Sequence, residues 1–91
     1  MAWYHEHISE TPGVCGGYPC IRRSRVSVRL VIEGLRQGAT FDDLLQRWPH
    51  LRREQVEAAV AYYVNHPTRV EEDIRRHQEA WEQLTSEPVE S

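Results

Sequence analysis

Lysine is absent from this chain of 91 residues, so all eleven basic side chains are arginine. Each basic site can therefore form a bidentate fork with a carboxylate or a phosphate. No apolar run approaches the roughly 18 residues that a membrane span needs. The opening MAWYHEHISE lacks the basic start and apolar core of a secretory leader. These two absences lead us to expect a cytoplasmic protein with no membrane partner. Cysteine is scarce, and in a reducing compartment Cys15 and Cys20 are expected as thiols. Phosphate-binding glycine loops, nucleophile elbows and paired carboxylates are missing. Nothing places a nucleophile beside a base, and a chain this short rarely encloses a substrate pocket. We expect a non-enzyme, with no catalytic residue and no cofactor.

What is present is chain enough for one domain. A domain of this size buries only about 60–65% of its unfolded surface, which makes a homodimer or a partner protein a reasonable expectation. Apolar residues make up 40% and charged residues 27%, a globular composition. The net charge of −3 hides an asymmetry. Residues 1–37 carry five Arg against three acids, residues 38–66 carry three against four, and residues 67–91 carry three against seven. A basic front and an acidic tail point to two tasks.

Residues 3–8, WYHEHI, read as a short strand. Breaks follow at Thr11-Pro12-Gly13 and at Gly16-Gly17 with Pro19, and Val14 and Ile21 are short pieces that could pair as a small hairpin or ribbon. Ser27 caps a helix over roughly 28–37, whose stripe is Val28, Val31, Ile32 and Leu35, and Gly38 stops it. Thr40 caps a second helix over roughly 41–48, with Asp42 and Asp43 in its first turn and Phe41, Leu44, Leu45 and Trp48 on its apolar face. After a tight connection a third helix runs over roughly 52–65. Its inward residues read as Val56, Ala59, Val60 and Tyr63, with Ala58 and Tyr62 toward other faces. A fourth helix, roughly 68–84, carries the stripe Val70, Ile74, His77, Trp81 and Leu84. The pattern predicts a mainly α fold: a small helix-turn-helix core of three helices, homeodomain-like or winged-helix-like, with a short N-terminal β-strand or hairpin and an extended C-terminal helix. The division is 1–66 for the β segment and helix-turn-helix domain, and 67–91 for a partner-binding helix and a disordered tail.

Three site readings follow. His5, His7, Cys15 and Cys20 offer two nitrogens and two sulfurs, a set that tetrahedral zinc accepts. Their C-x4-C and H-x-H spacings are off the commonest finger patterns, and thiols beside a tight turn are the plainer reading. No metal is expected, and a zinc-binding sensor stands as an alternative. In a helix-turn-helix the second helix enters the major groove by its first residues, here Arg52, Arg53 and Gln55. Arg22, Arg23, Arg25 and Arg29 cluster near the front and could hold backbone phosphate, with Arg25 and Arg29 the candidates carried forward. The plain alternative is that any solvated helix start carries such residues. In the fourth helix, Val70, Ile74, Trp81 and Leu84 could lie in a partner's groove, with Trp81 the strongest sign. A solvated face laced with pairs such as Glu71–Arg75 is the plain alternative there.

One stretch is more specific than any spacing. Residues 12–28, PGVCGGYPCIRRSRVSV, closely resemble the signature of the domain of unknown function family 433, roughly P-x-[IV]-x-G-G-x-P-[CV]-I-x-G-T-R-[IV]-x-V. Residues 38–51, GATFDDLLQRWPHL, resemble the family's G-x-[ST]-x-E-E-[IL]-L-x-x-[YF]-P-x-L, and VEAAVAYY (56–63) and HPTRV (66–70) also fit. The likeness covers roughly residues 7–75. Tyr18 departs from it, standing where a basic residue is common, as does Arg23-Ser24, standing where the pattern has Gly-Thr. The resemblance implies a small, often dimeric helix-turn-helix domain regarded as an antitoxin of type II toxin–antitoxin pairs. Its usual partner is a PIN-like ribonuclease toxin with a metal-holding carboxylate cluster, and its second target is operator DNA. Arg69, Arg75 and Arg76 are then candidates to fork into that cluster. The rival expectation is a dimeric protein-interaction module that binds no DNA.

Overall fold

The computed structural model describes residues 3–13 and 15–86, with side chains through Trp81. The chain is mainly helical. A 3-10 helix, Trp3–Glu6, leads into β1 (Ile8–Ser9), a second short 3-10 turn spans Cys15–Gly17, and β2 is Cys20–Ile21. Four helices follow: α1 (Val28–Arg36), α2 (Phe41–Arg47), α3 (Arg53–Asn65) and α4 (Pro67–Ser86).

Local chemistry sets the helix ends. Ser27 Oγ accepts the Leu30 N–H at 3.2 Å, opening α1. At its other end Gly38 takes φ +102, which an L side chain resists. The Ala39 N–H then reaches the Gly34 carbonyl at 3.0 Å and the Gly38 N–H reaches the Leu35 carbonyl at 3.1 Å, a complete Schellman closure. Thr40 Oγ1 accepts the Asp43 N–H at 3.1 Å while Asp43 Oδ2 accepts the Thr40 N–H at 2.9 Å. These reciprocal bonds start α2 and hold the Asp43 carboxyl below its usual range.

The strand pair differs from the sequence reading. Residues 3–6 are not extended, because the His7 N–H bonds the Tyr4 carbonyl at 3.0 Å and buries the Tyr4 ring edge-on against Tyr62, 6.1 Å between centroids. Aromatic packing overrides β propensity there. The partner of Ile21 is Ile8, and that of Ser9 is Cys20, in antiparallel register; Val14 lies outside the described residues. Cys20 also bridges Ser27, which ties β2 to the start of α1.

The core comprises Ile8, Ile21, Val28, Val31, Ile32, Leu44, Val56, Ala59, Tyr62, Val70 and Ile74 with their neighbours. Helix α3 lies at its centre, packing on α1, α2, α4, both strands and the N-terminal turn. This enclosure widens its buried arc. Ala58 and Tyr62 are buried, whereas Val60 and Tyr63 are only half-buried, a shift from the expected face. The Tyr62 hydroxyl stays satisfied by donating to Glu10 at 2.8 Å, and burial followed by that bond pushes its pKa up. The first turns of α4 belong to this same core through Val70 and Ile74, and from Arg75 through Trp81 each residue is exposed. No described helix is long and apolar enough to cross a membrane.

Candidate functional site

Beyond β2 the chain makes a tight turn, Arg22-Arg23-Ser24-Arg25. The Ser24 hydroxyl donates to the Ile21 carbonyl at 2.8 Å and accepts the Val26 N–H at 3.0 Å, so one side chain closes the turn from both ends. The turn forces φ +65 on Arg23 and +61 on Arg25. Arg22, Arg23 and Arg25 all project outward and are exposed. Arg23 and Arg25 line one depression together with His50, from the connection between α2 and α3.

These three arginines differ from most of the others. Arg29 pairs with Glu33 at 2.8 Å, Arg53 with Asp42 and Glu57, Arg69 with Glu10 and Glu72, and Arg76 with Asp73. Arg36 donates to both Glu71 and Tyr63, and Tyr63 in turn donates to Glu71. Among the described residues, Arg22, Arg23 and Arg25 enter no ion pair, and their positive charge faces solvent uncompensated.

The residues singled out from the sequence fare unequally. Arg52 and Arg53 stand exposed at the start of α3. Arg53, however, lies over the Phe41 ring at 5.1 Å and between two carboxylates. Arg52 has no acceptor to cap the helix, so Gln55 Oε1 reaches back to its N–H at 2.7 Å. The Gln55 carbonyl oxygen is thereby engaged in capping, which takes it from base reading. Arg29 is a largely buried internal cation rather than a phosphate contact: its side chain is 13% exposed, beside Glu33 and Asp73.

On α4, Val70 and Ile74 are 0% and 4% exposed and pack in the chain's own core, so they are not presented to a partner. Arg69 is bound from several directions. It stacks on the Tyr18 ring at 4.3 Å, pairs with Glu10 at 3.0 Å and donates to the Gly17 carbonyl at 3.3 Å. Arg76 stacks on the same ring at 4.8 Å. Arg75 and Trp81 are exposed, and the Leu84 side chain lies outside the described residues. Tyr18, the departure from the family signature, is thus the platform for two α4 arginines, a role the sequence did not reveal.

The proposed zinc set does not converge. Cys15 and Cys20 meet each other, Sγ to Sγ 2.9 Å. His5 instead stacks on His66, 6.0 Å between centroids, and His7 approaches Glu54 at 3.6 Å. Among the described residues no three His, Cys, Asp or Glu side chains gather as a metal set. A cleft of about 360 Å³ opens beside Cys15, lined also by Arg25, Arg29, Asp73 and His77. Asp73 is a buried acid there, with Arg29 and Arg76 at 3.7 Å and His77 at 3.9 Å. These distances suit charge pairing but are too long for hydrogen bonds, and Asp73 Oδ1 and Arg29 Nε have none.

Fold and surface together define a small, mainly helical domain built on a glycine loop, a strand pair and an arginine turn. The chain belongs to the family described as protein of unknown function (DUF433), whose model matches residues 8–63. It resembles a DUF433 member protein from Anabaena variabilis of known crystal structure, with a TM-score of 0.73 at 38% identity, covering 76% of this chain and 68% of that one. It is also 30% identical over 69 residues to the uncharacterized protein y4eO of Sinorhizobium fredii, covering 76% of this chain. The chain spans about a third of that relative's length (31%).

Proposed function

We propose that this chain is a DNA-binding regulatory module of the antitoxin kind. It works as a cytoplasmic homodimer, holds operator phosphates on its arginine turn, and offers the outer half of α4 to a toxin protein. The observation that carries this reading is the segregation of arginines. Five pair with carboxylates and Arg47, Arg52 and Arg75 stand singly on the helices, whereas Arg22, Arg23 and Arg25 face solvent together from one turn with no ion pair among the described residues. A cluster of unneutralised guanidiniums forms charge-assisted bonds to phosphate and releases counterions on binding. Ser24 closes the turn from both ends, so its backbone already holds the three side chains on one face and only their rotamers need ordering on binding. Arg52, exposed at the start of α3, is the remaining candidate for a base edge.

On the partner side, Arg75 and Trp81 are the exposed candidates of α4. A PIN-like ribonuclease holds its metal in a carboxylate cluster, and an arginine fork entering that cluster displaces the metal. Arg75 suits this better than Arg69 and Arg76, which already serve the fold. No catalytic residue enters this reading.

Anisotropy with labelled DNA from upstream of the chain's own gene tests the DNA arm. Wild type binds at low salt, and the Arg22→Gln/Arg23→Gln/Arg25→Gln variant loses most of the affinity. Co-expression with the product of the adjacent gene tests the other arm: wild type protects the host, and Arg75→Ala protects less. Failure of wild type to bind DNA at low salt, with or without that protein, would leave the second reading, a dimeric interaction module without DNA binding. Asp42 and Glu57 beside Arg53, and the capping role of Gln55, favour that rival.

A further inference from the structure

Cys15 and Cys20 stand at the two ends of the Gly-Gly-Tyr-Pro loop with their Sγ atoms 2.9 Å apart. Both are thiols, and their surroundings differ. Cys20 is buried on β2, where burial first and then the hydrogen bond it shares with Cys15 push its thiol up to about 12. Cys15 is half-buried and opens onto the cleft lined by Arg25, Arg29, Asp73 and His77. It holds φ +52, followed by Gly16 at +66 and Gly17 at +83, so a strained backbone turns its sulfur onto Cys20. The Arg25 carbonyl, 3.7 Å from Sγ of Cys15, is an alternative acceptor for its single S–H.

We propose that Cys15 and Cys20 form a thiol–disulfide exchange site that reacts with small anionic disulfides through this cleft, and whose disulfide form clamps the Gly-Gly-Tyr-Pro loop onto α4. Access makes Cys15 the attacking sulfur, since Cys20 is 2% exposed. Cys15 gives its proton to solvent, and its thiolate attacks one sulfur of the small disulfide. That S–S bond breaks, one small thiolate leaves, and a mixed disulfide remains on Cys15. Cys20, already in contact, loses its proton and attacks Sγ of Cys15, expelling the second small thiolate. Two protein thiols are oxidised, one small disulfide is reduced, and the two thiolates released take up the two protons.

Charge selects the reagent. Arg25 supplies the unpaired positive charge of the cleft, since Arg29 is taken up by Glu33 and Asp73, and the cleft's one carboxylate, Asp73, is 3% exposed and already faces three cationic or ionisable side chains. A disulfide that carries carboxylates, of the glutathione type, is drawn in. The consequence lies in the loop. Gly16 abuts Arg76, and a Cβ there would meet its Nη2 at 2.8 Å. Gly17 accepts from Arg69, and Tyr18 carries both guanidiniums. Closing the ring fixes the segment that anchors these α4 side chains. This site stands whether or not the chain binds DNA.

The test equilibrates full-length protein with glutathione disulfide and, separately, with neutral bis(2-hydroxyethyl) disulfide, followed by intact mass and thiol titration. The expected product is a monomer lighter by two hydrogens, with no titratable thiol, restored by reduced glutathione. Glutathione disulfide reacts about five- to tenfold faster than the neutral reagent, and Arg25→Gln abolishes the difference. The oxidised protein melts roughly 5 °C or more above the reduced one. Cys20→Ser stops at one glutathionyl group. A wild type that retains a glutathionyl group, couples between chains, or melts lower when oxidised overturns the site. Equal rates for the two reagents overturn the anionic preference.

Discussion

Arg23 occupies left-handed backbone at φ +65, at the position where the family signature places glycine. The strain of a side chain there exceeds the extra entropy that glycine loses on folding. Arg23→Gly should therefore raise stability by about 0.5 kcal/mol in urea unfolding, while removing one of three phosphate candidates and weakening DNA binding. A loss of stability would contradict the assigned turn. Glu71 provides a pH test. The Arg36 hydrogen bond, then that from Tyr63, hold its carboxyl below the usual value of 4.5. A lowered carboxyl contributes stability above its unfolded value and loses it as pH falls through its folded value. Stability should thus decline below about pH 4.5, and Glu71→Gln should flatten that decline. Because Glu71 is more than a third exposed, the cost of that change at pH 7 is about 0.5 kcal/mol or less. An unchanged acid limb of Tm against pH would contradict the pairing. Little of this was legible in sequence. The run Arg22, Arg23, Arg25 and Arg29 was visible as a basic cluster, but the inward turn of Arg29 to Glu33 and Asp73 was not, nor was the pairing of Arg36 with Glu71, 35 residues on.

Helix ends were the legible part at the scale of elements, because a cap is written in adjacent residues. Ser27, Thr40 and Gly38 each act where their chemistry placed them. The face of α3 was not legible, since it depends on what packs around the helix, and Tyr4 arrives from 58 residues away to bury Tyr62. For the same reason Val70 and Ile74 looked like a seam for a partner when they complete the chain's own core. One element contact yields a prediction that runs against helix propensity. Gly34 is buried in α1, and a Cβ there would lie 2.9 Å from Leu44 Cδ2, itself fully buried. Gly34→Ala should gain about 1 kcal/mol of helix propensity yet lose about 1–3 kcal/mol to overpacking, a net loss in urea unfolding. A net gain would mean that α1 and α2 separate more easily than they appear packed. Leu44→Ala at the same contact should cost about 2–5 kcal/mol.

Across the whole molecule, charge is sorted rather than mixed. The acidic tail consumes two of its own three arginines, Arg69 and Arg76, and two from elsewhere, Arg29 and Arg36, through Glu71, Glu72 and Asp73. The N-terminal turn keeps Arg22, Arg23 and Arg25 uncompensated among the described residues. The net charge of −3 therefore does not exclude phosphate binding, because the turn that carries Arg22, Arg23 and Arg25 holds no acid of its own. The central proposal is that this turn holds the DNA backbone, and the salt dependence of binding tests it most directly. With DNA from upstream of its own gene, the logarithm of the binding constant should fall steeply with the logarithm of salt concentration. For the Arg22→Gln/Arg23→Gln/Arg25→Gln variant the slope should be shallower by about 2–3, close to 0.9 for each lost phosphate contact. Equal slopes for the two proteins, or no binding by wild type at low salt, would contradict it.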